Sequence, residues 1–170
     1  KVKNTKTKRR AYSEKVEEIK PQSIEKISLL DKELIMFCFS SSLENRQLIK
    51  NNLEVDWIHS EIIKNLYNEI FIHLSSEEVV KPEIIMNELK NESERNLMAE
   101  LLFNKIEVNQ NMIIDCLVRL EKNKIQTNSN KLREQLKLEN IDDKIKNTVL
   151  EQINELQKQK NNLKSKYEIV

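Results

Sequence analysis

Apolar residues recur at three- and four-residue steps through most of the chain after Ser23, which is the period of amphipathic helices. Ser23 is a residue type that caps helices, and Pro82 stands where the first turn of a helix tolerates proline. Asp56 and Ser93 are further candidate caps, each followed by an apolar stripe. The pattern predicts helices over residues 24–38, 43–50, 57–71, 83–89 and 94–105.

These segments are too short to be stable as isolated helices in water. Each must therefore bury its apolar stripe against the others. Residues 23–106 are thus predicted to form a compact bundle of helices. Trp57 is interpreted as a core anchor of that bundle rather than as a surface contact.

The last third of the chain predicts longer helices. Between Asn109 and Glu139 no proline interrupts a polar-rich helical pattern. The phase of its apolar stripe shifts between Leu120 and Ile125. We expect the helix to leave the bundle there and enter a projecting arm.

A second long helix is predicted over residues 143–166, antiparallel to the first. Asn140 can adopt the left-handed conformation of a tight turn, and Asp142 can cap the helix that follows. Steps of four and three residues then mark a seam close to that of a coiled coil, which Lys160 interrupts. The predicted seam positions are Val149, Ile153, Leu156, Lys160, Leu163 and Tyr167.

The predicted fold is therefore all-α, with a bundle subdomain over 23–106 followed by a long helix and C-terminal antiparallel helical hairpin over 107–170. Residues 1–22 lack an apolar period and are expected to be a basic flexible linker. Their first twenty positions carry eight Lys or Arg against three Glu. Such a segment provides at most salt-sensitive, non-specific affinity for nucleic acid.

The chain of 170 residues contains no glycine, which bears on the classes of enzyme it could be. Phosphate-binding loops, nucleophile elbows and dinucleotide-binding turns need residues that allow a positive φ or a close backbone approach. None of these motifs is present in its usual form. The sequence therefore favours an interaction module over an enzyme, with no catalytic residue, metal ligand or cofactor predicted.

The remaining candidate residues for chemistry are few. Cys38 and Cys116 lie within apolar runs and are interpreted as core thiols of a cytoplasmic protein. His59 and His73 belong to no metal-ligand or general-base motif. No stretch has the run of about 20 apolar residues that spans a membrane.

Several segments taken in order resemble the helicase-binding C-terminal domain of bacterial DnaG-type DNA primases, over residues 23–170. The similarity lies in the order of helical segments and includes no catalytic signature. Asn140 stands where relatives often have glycine. The matching segments are KISLLDKELIMFCFSSS, LEVDWIHSEIIKNLYNEI, SERNLMAELLFNK, DCLVRLEKNKIQTNSNKLREQLK, ENIDD and VLEQINELQKQKNNLKSKY.

The resemblance implies a non-catalytic module that docks on the N-terminal domains of the hexameric replicative helicase and recruits primase to the replication fork. It also implies that zinc-binding and polymerase domains precede this chain, which begins with Lys rather than Met. Residues 1–22 would then be a tether, and the module alone is expected to be monomeric. We expect the contact on the second helix of the hairpin, at Gln157, Lys160, Leu163, Lys164 and Tyr167.

Other functions fit the same pattern. The chain could be the self-assembling N-terminal collar of the helicase itself, which is a structural relative of the primase bundle. It could be a helical nucleic-acid-binding module that uses the basic linker. A generic coiled-coil scaffold is a further alternative, although residues 23–106 are too irregular and too apolar for it.

Overall fold

A computed structural model of the chain describes residues 27–76, 78–103, 107–137 and 142–167. The described part is all-α, which confirms the predicted fold class. Residues 1–22, Ser23 and Asn140 lie outside the described residues, so the predicted linker, first cap and turn are not addressed. The helices are α1 Leu29–Cys38, α2 Leu43–Asn52, a 3₁₀ turn Val55–Trp57, α3 Glu61–Phe71, α4 Pro82–Glu88, α5 Glu92–Leu102, α6 Gln110–Gln135 and α7 Asp143–Tyr167.

Serine side chains cap the first three α-helices of the bundle. The hydroxyl of Ser28 accepts a hydrogen bond from the backbone N–H of Asp31 at 3.1 Å, so α1 begins later than predicted. Ser42 and Ser60 cap α2 and α3 in the same way. Each cap provides an acceptor for an N–H that has no partner within its helix.

Two predicted caps are wrong. Asp56 lies inside the 3₁₀ turn, and Ser60 caps α3 four residues later. Asn91, and not Ser93, caps α5, because its side-chain oxygen accepts from the backbone N–H of Ser93 at 2.9 Å. Pro82 does open α4, as predicted.

The bundle is built around α1, which packs against α2, α3, α5 and α6. Its core side chains come from positions that the helical period indicates. Trp57 is buried, as expected for a core anchor, and so are both cysteines, which are free. Among the core residues are Leu34, Ile35, Ile63, Leu66, Ile70, Ile85, Met98, Ile113, Leu117 and Leu120.

A buried arginine connects two loops of the bundle. Arg46 is fully buried and donates to the backbone carbonyls of Ser40 and Ser76, each at 2.7 Å. It also donates to the carbonyls of Ser41 at 3.1 Å and Glu78 at 3.2 Å. These bonds join the α1–α2 connection to the segment that follows α3. Helical periodicity did not indicate this residue, because it reads as an exposed cation in a polar helix.

The long helix α6 belongs to both parts of the molecule. Its first half is buried against α1 and α2, and its second half packs along α7. Asn109 caps α6 by accepting from the backbone N–H of Met112 at 3.0 Å. Asp142 accepts from the backbone N–H of Lys144 at 2.7 Å, which confirms the predicted cap before α7.

The hairpin seam follows the predicted positions. Val149, Leu163 and Tyr167 are buried, whereas Ile153, Leu156 and Lys160 are half-buried. The other α7 side chains that the structure describes are exposed. At the end of α7 nearest the bundle, Tyr167 packs into the core cluster of the bundle, so the bundle supports the hairpin there.

Candidate interaction surface on the helical hairpin

The residues predicted to form the binding site lie on different sides of α7. Leu163 and Tyr167 were predicted both as seam positions and as contact residues; each is only 3% exposed in the seam, so neither is accessible to a partner in the closed hairpin. Gln157 is exposed and donates to Asn161 Oδ1, one turn later, at 3.1 Å. The backbone of Lys164 belongs to α7, while its side chain lies outside the described residues.

Lys160 interrupts the apolar seam but has a polar partner across it. Its ammonium donates to Gln126 Oε1 on α6 at 2.7 Å. The aliphatic part of the side chain can remain against the seam while the charged end reaches the amide. Lys160 therefore connects the two helices of the hairpin, whether or not it also contacts a partner protein.

The last turn of α7 is held to α6 by one carboxylate. Glu121 accepts from Lys166 Nζ at 2.9 and 3.0 Å and from Tyr167 Oη at 2.9 Å. Burial, followed by the hydrogen bond to Glu121, raises the pKa of Tyr167 above its usual range. Lys166 Nζ also lies 5.4 Å from the centre of the Trp57 ring, a cation–π distance.

One face of the hairpin carries a shallow groove. The recess between the end of α6 and the middle of α7 has a volume of about 470 Å³, with Leu132 and Leu156 as its apolar residues. A second recess of about 330 Å³ lies nearer Leu163 and Lys166. The two recesses share Glu155 as a lining residue, and the first of them is hereafter the hairpin groove.

Side-chain amides surround the apolar residues of the hairpin groove. Asn128 and Gln135 contribute from α6, and Gln152 contributes from α7. Amide side chains both donate and accept hydrogen bonds, so they can satisfy the polar groups of another polypeptide. An apolar strip bordered by such groups is the composition found in protein–protein interfaces.

Two large apolar side chains on α7 lie outside the seam. Ile145 is 58% exposed and Leu150 is 42% exposed. Sequence reasoning missed both, although the position of Leu150 off the seam period was a visible signal; Ile145, four residues before Val149, continues that period. Both lie in the half of the hairpin that is farther from the bundle.

The bundle has a larger recess of about 770 Å³ at the end where α1 and α5 finish and α4 and α6 begin. Apolar residues such as Met36, Phe39 and Leu101 line it, together with the carboxylates of Glu83 and Glu107. No histidine or cysteine lines this recess. It offers no arrangement that we can connect with a reaction.

The histidines are separate in space as well as in sequence. His59 is exposed, and His73 Nε2 lies 3.4 Å from Glu88 Oε2 at the surface of the bundle. Within the described ranges, no group of three or more His, Cys, Asp or Glu side chains is arranged to hold a metal ion. In the same part of the chain, no helix combines the length and the apolar character needed to cross a bilayer.

The chain matches no protein-family model, no curated protein and no solved structure at a significant level.

Proposed function

We propose that this chain binds the replicative DNA helicase through its helical hairpin and so recruits primase to the replication fork. The observation that carries the proposal is the amide-lined groove between α6 and α7. Ile145 and Leu150, in the outer half of α7, add two exposed apolar side chains that do not line this groove. Exposed apolar side chains bordered by polar groups are typical of surfaces that a partner protein covers. We infer the partner from the order of helical segments, which resembles that of the primase domain.

The charge of the bundle supports a protein partner over nucleic acid. Residues 27–103 contain fourteen Asp or Glu against seven Lys or Arg. An acidic body repels phosphates, whereas a domain that binds duplex DNA normally presents a basic face. Any contact with nucleic acid would then be weak and made through the basic residues 1–22.

The site on the hairpin differs from the one expected from the sequence. Because Leu163 and Tyr167 are buried, the closed hairpin presents Gln157 and the edge of Lys160 on one face and the hairpin groove on another. We place the main contact on the outer half of the hairpin, at Ile145, Leu150 and the groove. Lys164 stays in the proposed surface on the basis of the sequence pattern alone.

The proposal is tested by measuring the affinity of the full chain for the replicative helicase of the same organism with biolayer interferometry. Changing Ile145 and Leu150 together to Asp is expected to weaken binding at least tenfold, roughly the loss of one interface hot spot. Ile72→Asp is the matched control, since Ile72 is a large exposed apolar residue of the bundle. Its affinity should equal that of the unchanged chain.

The possible results distinguish an error in the proposed partner from an error in the proposed binding site. If the unchanged chain does not bind the helicase, the proposed function is wrong. If it binds, and both the double variant and a chain lacking 143–170 bind equally well, the function stands and the hairpin is not the contact. The molar mass from light scattering tests the alternative that the chain is a helicase collar. A collar self-associates, whereas a tethering module stays monomeric.

A further inference from the structure

The polar contacts between α7 and other elements are concentrated in its last two turns. Among the described residues, α7 side chains reach other elements from Lys160, which bonds Gln126, and from Lys166 and Tyr167, which bond Glu121. The earlier hydrogen bonds of α7 join residues of the same helix. One example runs from Thr148 Oγ1 to the Lys144 carbonyl, at 3.0 Å.

Apolar packing along α7 is equally uneven. Leu163 and Tyr167 are buried near the bundle, and Val149 is buried near the other end. Between them, Ile153 and Leu156 are only half-buried. A two-helix seam of this kind has little apolar burial with which to hold itself closed.

We propose that Glu121, Lys166 and Tyr167 form a latch, and that α7 opens from α6 as a unit when the latch releases while the bundle stays folded. Native proteins open locally where few buried contacts hold a segment, and regions with dense contacts stay closed. Here the dense contacts are those of the bundle and of the last turn of α7. The latch is therefore the point at which the opening of α7 is controlled.

Opening has a direct consequence for recognition. Leu163 and Tyr167 are covered in the closed hairpin and become accessible only when α7 separates from α6. A partner that uses them binds with an affinity reduced by the fraction of molecules that are open. The latch itself does not depend on the proposed helicase contact, because opening is a property of the chain alone.

The first experiment is native-state hydrogen exchange on the full chain. Glu121→Gln removes the charge that both latch partners contact, and it should accelerate exchange of the α7 amides about tenfold, the loss of one charge-assisted hydrogen bond. The amides of α1 and α3 should exchange at the rates of the unchanged chain. Glu155→Gln is the matched control, because among the described residues Glu155 pairs with Lys158 of its own helix, at 3.7 Å, and with no other element.

The second measurement uses the single tryptophan of the chain. Trp57 lies under Lys166, so release of the latch changes the surroundings of the only indole. Tyr167→Phe keeps the buried ring and removes the bond to Glu121. Its Trp57 emission should move toward that of an exposed indole, together with faster exchange in α7.

Two results would overturn the latch. Unchanged protection of α7 in both Glu121→Gln and Tyr167→Phe would show that these bonds do not control opening. Faster exchange spread equally over α1, α3 and α7 would show that the chain unfolds as one unit, without a separable α7.

Discussion

Arg46 joins two loops whose contact residues, Ser40 and Glu78 at the extremes, lie 38 positions apart in the chain, and no carboxylate of the described residues pairs with it. Its guanidinium satisfies four backbone carbonyls, and its own Nε has no partner among the described atoms. A buried carbonyl without a donor is costly. Arg46 therefore stabilises the fold by satisfying backbone groups at the end of the bundle.

Arg46→Met is expected to lower the free energy of unfolding by about 3 kcal/mol, because the buried carbonyl of Ser40 and three part-buried carbonyls lose their donor at once. Urea denaturation followed by circular dichroism measures the change. Arg95→Met is the control, since exposed Arg95 donates to a single carbonyl, that of Leu89 at 2.8 Å. A loss for Arg46→Met no larger than that of the control would contradict this role.

The cysteines lead to a prediction about reactivity. Burial raises the pKa of Cys116 to about 12 and moves the pKa of Cys38 above its ordinary range. Because the thiolate is the reactive form, the native chain should react very slowly with iodoacetamide at pH 8. Both thiols should react readily in 8 M urea, and fast labelling of the native chain would contradict the buried environment.

The raised pKa of Cys116 also makes the free energy of unfolding depend on pH. The folded pKa of Cys116 lies above its ordinary value of about 9.0, so folding favours the protonated thiol. The resulting stabilisation is complete below about pH 9 and is lost as the pH rises towards 12. The free energy of unfolding should therefore fall over this range, and the fall should be smaller in Cys116→Ala.

At the level of elements, the beginnings of helices were the least predictable feature. Asn91 and Ser93 are both suitable caps by residue type, and the apolar stripe of α5 fits either start. The structure selects Asn91, with Ser93 donating its backbone N–H to it. The choice depends on the direction from which the preceding chain enters, which local propensity does not specify.

This choice can be tested by a pair of substitutions. Asn91→Ala is expected to lower the free energy of unfolding by about 1 kcal/mol, whereas Ser93→Ala should change it by less than about 0.5 kcal/mol. Thermal unfolding of the two variants measures the difference. A larger loss for Ser93→Ala would mean that α5 begins where the sequence pattern first suggested.

In contrast to the helix starts, the packing face of α7 was predicted correctly. All six predicted positions are the less exposed ones in the described part of that helix, including Lys160. The reason is that α7 faces a single partner helix along most of its length. One stripe at heptad-like spacing then determines which side is covered.

At the scale of the whole molecule, the bundle carries most of the core and the hairpin depends on it at one end. We expect a chain lacking residues 143–170 to keep a folded, cooperatively unfolding bundle. Its free energy of unfolding should be lower by roughly 2–4 kcal/mol, because the burial of Leu163 and Tyr167 is lost. Circular dichroism and thermal unfolding measure both properties.

The control for the deletion is a chain shortened only by residues 168–170, which keeps all of α7. Its stability should stay near that of the full chain. Loss of cooperative unfolding in the longer deletion would show that α7 is required for the bundle to fold. In that case the helicase-binding comparison would have to rest on the full-length point variants.

The sequence by itself determined the helical class, the bundle followed by a hairpin, and the face along which α7 packs. These features follow from spacing within each segment, which is local information. The tertiary structure alone decided that Arg46 is buried, that Asn91 caps α5, and that the end of α7 is fastened to the bundle. Each of these depends on contacts between segments far apart in the chain. The burial of Leu163 and Tyr167 follows from their spacing in the seam, whereas the packing of Tyr167 into the bundle core came only from the tertiary structure.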